Sequence, residues 1–411
     1  MIAFFNSTLK CILKGRAAVF SGSLEQYKYQ NFRESLIRGC FYLFTPIYAL
    51  MTLITIIYPI HEVPIKWTWA EFLINYQGGF VRRGLLGEIL FQLQPVIPGV
   101  VAASIIVFFC YCLFTYFALK LLSDIPLVVF AFFVFSPSGF LFPVYEPAVF
   151  ARKEIFSFLA FTLVILTYIK YSDYRVKVCS FLVLYTIATL INDAAVLFAP
   201  LAACLLVLSM REEKKHLRVT VLCALLFYVV ALGSVIFFSI NPHYDPSGIV
   251  KSWSPYFPNI GTGPALDYLN KGLGTYLTET SHKAASWNLF TGPFLVDFCL
   301  AFLPIILLLL HSTHLKFFRT LRTNEPLLFL STIGSLLAPL ILFCCQDWGR
   351  WIYIISMHTF IFLSTLENFG LVAYKEIPAM SKYQWKICAL FFLYYVILWR
   401  MPHLRLYGER W

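Results

Sequence analysis

The chain has 411 residues, of which 60% are hydrophobic, 18% aromatic and only 13% charged. Soluble domains carry about 45–50% apolar and about 25% charged residues, so a water-facing surface of this size would go uncovered; this excludes a soluble enzyme, a secreted disulfide scaffold, a disordered chain and a nucleic-acid binder. Lys and Arg outnumber Asp and Glu by 32 to 21, a net charge of +11, and in a polytopic membrane protein such an excess collects in the cytoplasmic loops.

Residues 1–40 hold Lys10, Lys14, Arg16, Lys28, Arg33 and Arg38 and have no clean apolar core ending in small residues. They read as a cytosolic N-terminal segment, partly amphipathic and lying on the membrane surface, rather than as a cleaved leader. A spanning helix needs about 20 mostly apolar residues. Such runs fall at 41–59, 97–119, 125–143, 149–169, 178–191, 194–210, 219–240, 292–311, 326–345, 352–371 and 386–400. The expected fold is therefore all-α: a polytopic transmembrane helical bundle of about 11 spans, forming one membrane domain over 41–411. No repeat and no linker divides it. With the N-terminus in the cytosol, the inside segments hold 20 of the 32 basic residues, as the positive-inside rule requires. The 11 cysteines show no metal spacing and read as small core side chains.

The inside loops carry scattered charges and no glycine-rich phosphate loop. The outside segments differ. The first, 60–96, holds Glu62 and Glu71 and then Gly78-Gly79-Phe80-Val81-Arg82-Arg83-Gly84-Leu85-Leu86-Gly87-Glu88. Glycine lets backbone approach a ligand or another helix closely, and Arg grips phosphate through a planar fork of donors. The stretch near 70–92 is expected to be re-entrant or interfacial, which is tolerated at membrane depth where it is buried in protein or lines a wet cavity. The competing reading is an interfacial helix whose arginines snorkel to headgroups.

The second group, Glu146 with Arg152-Lys153-Glu154, opens the fourth span. Ionisable groups at that depth are costly and face a cavity or the bundle interior; the alternative is a locally ion-paired helix start. The third, Asn192-Asp193, stands between two spans, and a helix N-cap is the favoured reading there. The long outside loop 241–291 is rich in Pro, Gly, Tyr and Trp, with His282 among its polar residues. The fourth group is Asp347-Trp348-Gly349-Arg350-Trp351, where Asp and Arg three apart can pair on a helix. His358, inside the tenth span, reads as a hydrogen-bonded core histidine.

The ionisable groups thus gather within about two helical turns of the outer face, whereas transporters place them near the midplane. A lipid-linked substrate with its phosphate at headgroup level would be met there. Arg82, Arg83, Arg152, Lys153 and Arg350 are the candidate phosphate ligands, and Asp347, Glu146 and Glu88 the candidate catalytic carboxylates. Glu62, Glu71, Glu154, Asp193 and His282 are further candidates. No metal site and no cofactor is expected.

The size, the Phe/Tyr/Ile-rich composition, the span count, the late outside loop and the GGFVRRGLLGE and DWGRW stretches resemble bacterial O-antigen and capsule polymerases of the Wzy type. The resemblance implies a glycosyltransferase of the bacterial inner membrane. It would move a growing glycan from undecaprenyl diphosphate onto the next lipid-linked repeat unit at the periplasmic face, with a chain-length regulator protein as a possible partner. The prominent outside loop before the second span is more similar to GT-C transferases, which add one sugar from a polyprenyl-phosphate donor; that resemblance implies Glu62, Glu71 or Glu88 as base. A lipid-linked oligosaccharide flippase is the non-enzymatic alternative.

Overall fold

The computed structural model describes residues 24–61, 67–211, 214–240, 244–257, 278, 292–340, 348–375 and 381–401. Every named element among them is helical, apart from an isolated bridge between Ser312 and Tyr374. The chain starts with the long α1 (Leu24–His61) and continues through the short α2 (Trp67–Phe72), α3 (Gly84–Leu93) and α4 (Gly99–Leu121). Three brief helices follow: α5 (Leu127–Val134), α6 (Phe142–Tyr145) and α7 (Pro147–Phe150). Next come α8 (Glu154–Lys170), α9 (Tyr174–Ile191), a 3₁₀ turn (Asp193–Leu197), α10 (Ala199–Ser209) and α11 (Lys214–Ile240). The second half holds α12 (Pro246–Trp253), α13 (Gly292–Ala301), α14 (Leu303–Leu310), α15 (His314–Asn324), α16 (Pro326–Leu337), α17 (Trp348–Asn368) and α18 (Lys382–Leu393).

Four of these carry a stretch long and apolar enough to cross a membrane: Asn31–Ile57 within α1, Gly99–Leu121, Tyr174–Ile191 and His216–Ile240 within α11. Several other apolar stretches are cut into shorter pieces, while α17 runs unbroken for 21 residues, so the structure supports an all-helical, membrane-embedded chain without fixing the expected number of spans. Proline makes many of the cuts. Its fixed φ and missing N–H suit a helix start and disrupt an interior, and Pro126, Pro200, Pro304 and Pro326 all lie at such starts. Within the expected third span, 125–143, α5 ends at Val134 and the chain is helical again only where α6 begins at Phe142. Between them it turns at Ser136-Pro137-Ser138-Gly139, where a Cβ on Gly139 would lie 2.3 Å from the Phe133 carbonyl oxygen.

α1 packs along α4, α4 along α8, and α8 along α9, while α17 closes against α8. Aromatic rings fill the seams: Phe133 stacks on Phe360 at 3.6 Å between centroids, and Tyr111 on Phe150 at 4.7 Å. Such pairs add about 0.5–1.5 kcal/mol beyond area burial. This frame holds the N-terminal ends of α8 and α17, the C-terminal end of α9 and the α2–α3 segment at one end of the bundle, where their charged residues meet.

Candidate functional site

The glycine-rich motif forms a tight hairpin between α2 and α3. Its glycines serve contact with protein. A Cβ on Gly84 would lie 2.4 Å from the Tyr76 ring, one on Gly87 would lie 1.9 Å from the Ile74 carbonyl oxygen, and one on Gly78 would lie 2.1 Å from the Asp245 carbonyl oxygen. Glu88 clamps the hairpin from α3: its carboxylate accepts from Tyr76 N at 3.0 Å, from Gln77 Nε2 at 3.0 Å and from Gln92 Nε2 at 2.8 Å. Asp245 and α12 strap the hairpin down. Asp245 N donates to Gly78 O at 2.7 Å, Asn75 Nδ2 to Ser252 Oγ at 2.8 Å and Trp253 Nε1 to Leu73 O at 2.8 Å.

Held in this way, the hairpin aims both arginines inward. Arg82 Nη1 lies 2.9 Å from Asp193 Oδ2 and Arg83 Nε 2.7 Å from Asp193 Oδ1, so one carboxylate bridges two guanidiniums. Arg83 Nη1 also lies 3.6 Å from Glu71 Oε1, which receives Arg152 Nη1 at 2.9 Å. At the start of α8, Glu154 Oε1 meets Arg350 Nη1 of α17 at 3.2 Å. Lys153 Nζ donates to the backbone carbonyl of Arg83 at 2.7 Å. Segments distant in sequence therefore supply one cluster of five cationic and three anionic side chains, an excess of two positive groups. Arg83 itself has φ 63°, the one positive value at a described residue other than glycine; left-handed backbone costs an L-residue about 1–2 kcal/mol, and such strain gathers at functional sites.

The cluster is dry. Glu71, Arg152, Lys153 and Glu154 are 4%, 7%, 1% and 6% exposed. Burial alone would raise the Glu71 carboxyl, but Arg152 and then Arg83 outweigh it and hold the group at about 2. Asp193 is likewise pulled below the usual carboxylate range, burial being outweighed by Arg83 and Arg82. Lys153 moves the other way: burial depresses its ammonium to about 7 despite the neighbouring Glu71 carboxylate. Arg152 Nε and Glu154 Oε2 are buried with no hydrogen-bond partner among the described residues, an uncommon state for buried polar groups in native proteins.

A cavity of about 440 Å³ adjoins the cluster, lined at one end by Arg82, Arg83 and Asp193 and elsewhere by mostly apolar side chains of α9 and α11, such as Leu182, Leu226 and Val230. Its volume falls within the roughly 300–1,000 Å³ usual for small-molecule sites.

Of the residues singled out in the sequence, the structure brings together Glu71, Arg82, Arg83, Arg152, Lys153, Glu154, Asp193 and Arg350. Glu88 stands apart, engaged in holding the hairpin. Glu146 lies in the turn between α6 and α7 and is not a partner in the ion pairs just described. Asp347, Glu62 and His282 lie outside the described residues. The Asn192-Asp193 pair divides its labour: Asn192 Oδ1 accepts from Ala194 N at 3.3 Å as the cap, and Asp193 serves the arginines. The sequence reading missed the walls of the cavity on α9 and α11, and it missed Asn75 and Trp253 as anchors of the hairpin. Their signal, an apolar stripe with helical spacing, is shared by every lipid-facing helix.

Comparison with known proteins finds no matching family model, no matching curated protein and no matching solved structure.

Proposed function

We propose that this chain is a membrane glycosyltransferase of the bacterial inner membrane. Its substrate is a glycan linked to undecaprenyl diphosphate, and it joins O-antigen or capsule repeat units at the outer face, with its N-terminus in the cytoplasm. The carrying observation is the convergence of four guanidiniums and Lys153 on three carboxylates in one buried cluster, of which Arg82, Arg83 and Asp193 reach the adjoining cavity. A water-excluded array of fixed donors stabilises charge far better than water-exposed groups do.

In the proposed reaction the acceptor hydroxyl oxygen attacks the anomeric carbon of the donor glycan. The bond from that carbon to the diphosphate oxygen breaks, and its electron pair leaves with the prenyl diphosphate, whose charge Arg82 and Arg83 meet. The hydroxyl proton passes to Glu154 through Oε2, the carboxylate oxygen that has no hydrogen-bond partner among the described residues. Glu71 suits this role less well, because Arg152 and Arg83 hold it far below neutral; its place is to orient them. General-base help of this kind contributes about 10²–10⁴-fold.

A second reading, addition of one sugar from a polyprenyl-phosphate donor, draws support from Glu71, a carboxylate of the first outer segment lying at the centre of the cluster. Glycan analysis of a strain carrying Arg82→Ala or Arg350→Ala separates the two. Polymerisation predicts loss of long chains with single repeats retained. Single-sugar transfer predicts a repeat lighter by one sugar. Wild-type chain length and repeat mass in both variants overturn the assignment.

A further inference from the structure

The cavity beside Arg82 and Arg83 is shaped as a groove. On α11 its lining includes Cys223, Leu226, Val230, Ser234 and Phe238, successive residues three or four apart and so one face of the helix. From Cys223 to Phe238 that face runs about 22 Å at 1.5 Å per residue, more than half of the roughly 30 Å hydrocarbon core of a bilayer. Leu182, Thr186 and Leu190 of α9 form the opposite wall at the same helical spacing. The groove has little to offer a hydrated ligand. Ser234 Oγ is turned back onto its own helix, donating to Val230 O at 2.7 Å. Charge appears at one end alone, where Arg82 and Arg83 meet Asp193. A slot that is apolar along its length and cationic at its tip complements an amphiphile with an anionic head.

We propose that the groove between α9 and α11 holds the hydrocarbon chain of a polyprenyl phosphate or diphosphate, with the phosphate resting on Arg82 and Arg83. This rests on the glycosyl-transfer reading for the class of lipid. The chain enters sideways from the bilayer between the two helices, while the sugar-bearing head remains at the charged end, so the lipid never has to leave the membrane to react.

The test uses the full-length protein in detergent and a polyprenyl phosphate carrying a photoactivatable diazirine on its chain, with labelled peptides located by mass spectrometry. Label is expected on α9 and α11, displaced by undecaprenyl phosphate and not by undecaprenol or phosphatidylglycerol. Val229 and Val230 are neighbours and equally exposed, at 58% each, and Val230 is the one that lines the groove. Val230→Trp should weaken labelling at least tenfold, and Val229→Trp should leave it unchanged. Label elsewhere, equal effects of the two substitutions, or equal displacement by phosphatidylglycerol each overturn the proposal. The glycan profile is an independent readout. Specific labelling together with a wild-type profile in Arg82→Ala leaves the groove standing and removes the glycosyl-transfer reading. Loss of glycan in Arg82→Ala with labelling outside the groove does the reverse.

Discussion

The ammonium of Lys153 reaches the backbone carbonyl of Arg83 at 2.7 Å, and that same arginine holds a left-handed backbone at φ 63°. The two observations belong together. A backbone turned this way directs the Arg83 side chain between Glu71 and Asp193, and the lysine, buried against the hairpin, keeps it there.

Arg83→Ala and Arg83→Gly should therefore differ although both delete the charge. Each leaves buried Glu71 and Asp193 short of a partner, a loss on the order of 3–5 kcal/mol where a buried pair is broken. Glycine carries no penalty in left-handed backbone, so Arg83→Gly should be the more stable of the two by about 1 kcal/mol. Thermal unfolding in detergent measures the gap; an equal Tm would show that the turn is unstrained.

Lys153 makes the site sensitive to alkaline pH. Burial lowers its folded value from the ordinary 10.5 to about 7, so the folded state binds fewer protons than the unfolded chain between those values. Stability should accordingly rise with pH across that window as the burial penalty is relieved. Affinity for a phosphate should fall as pH rises through about 7, because the folded cluster loses one positive charge there. In Lys153→Arg the charge persists, and the decline in lipid phosphate binding above pH 7 should disappear. Binding of the polyprenyl phosphate probe between pH 6 and 9 reads both.

Acid acts through Glu71. Its folded value, about 2, lies below the ordinary 4.5; the stability it confers is complete above 4.5 and is lost as pH falls toward 2. Glu71→Gln should be less stable at neutral pH and should show a flatter loss of Tm on acidification than the parent protein.

Glu154→Gln keeps the size of the side chain and removes its basicity. Transfer should slow by about 10²–10⁴-fold, while photolabelling by the polyprenyl phosphate stays within a factor of a few. Unimpaired transfer would remove Glu154 from the reaction.

The glycines separate by surroundings. Gly87→Ala would drive a Cβ to within 1.9 Å of the Ile74 carbonyl oxygen and should destabilise by about 1–3 kcal/mol or prevent folding. Gly233→Ala and Gly334→Ala meet nothing within 4 Å, and each should gain up to about 1 kcal/mol of helix propensity. Expression level and Tm across the three check the contrast.

Much of this site was legible from residue type alone. With the N-terminus taken as cytosolic, Arg82, Arg83, Arg152 and Arg350 fall where the positive-inside pattern expects few basic residues, and that conflict singled them out before any partner was known. Pairing was harder to read, because Glu71 meets Arg152 across 81 residues and Arg82 meets Asp193 across 111, separations that leave no periodic trace. Asp193 resembled a cap because its neighbour Asn192 is one. The role of Glu88 in holding the hairpin was not legible, because its donors, Tyr76 N and the Gln77 and Gln92 side chains, come together only on folding. The glycines left approach to a ligand and approach to another helix open, because a missing Cβ is equally useful against either. Span lengths are hard to read for a related reason: the stretch around 125–143 is apolar throughout whether or not Pro137 and Gly139 interrupt its helix.

The 81-residue interval between Glu71 and Arg152 also has a temporal meaning. At about 5–20 residues per second of translation, the carboxylate emerges from the ribosome roughly 4–16 s before its guanidinium. Arg83, which lies 3.6 Å from Glu71 in the folded protein, follows it by only 12 residues and is the first guanidinium to reach the acid. The Arg152 contact closes last, so the hairpin is synthesised early and gains its final ion pair late.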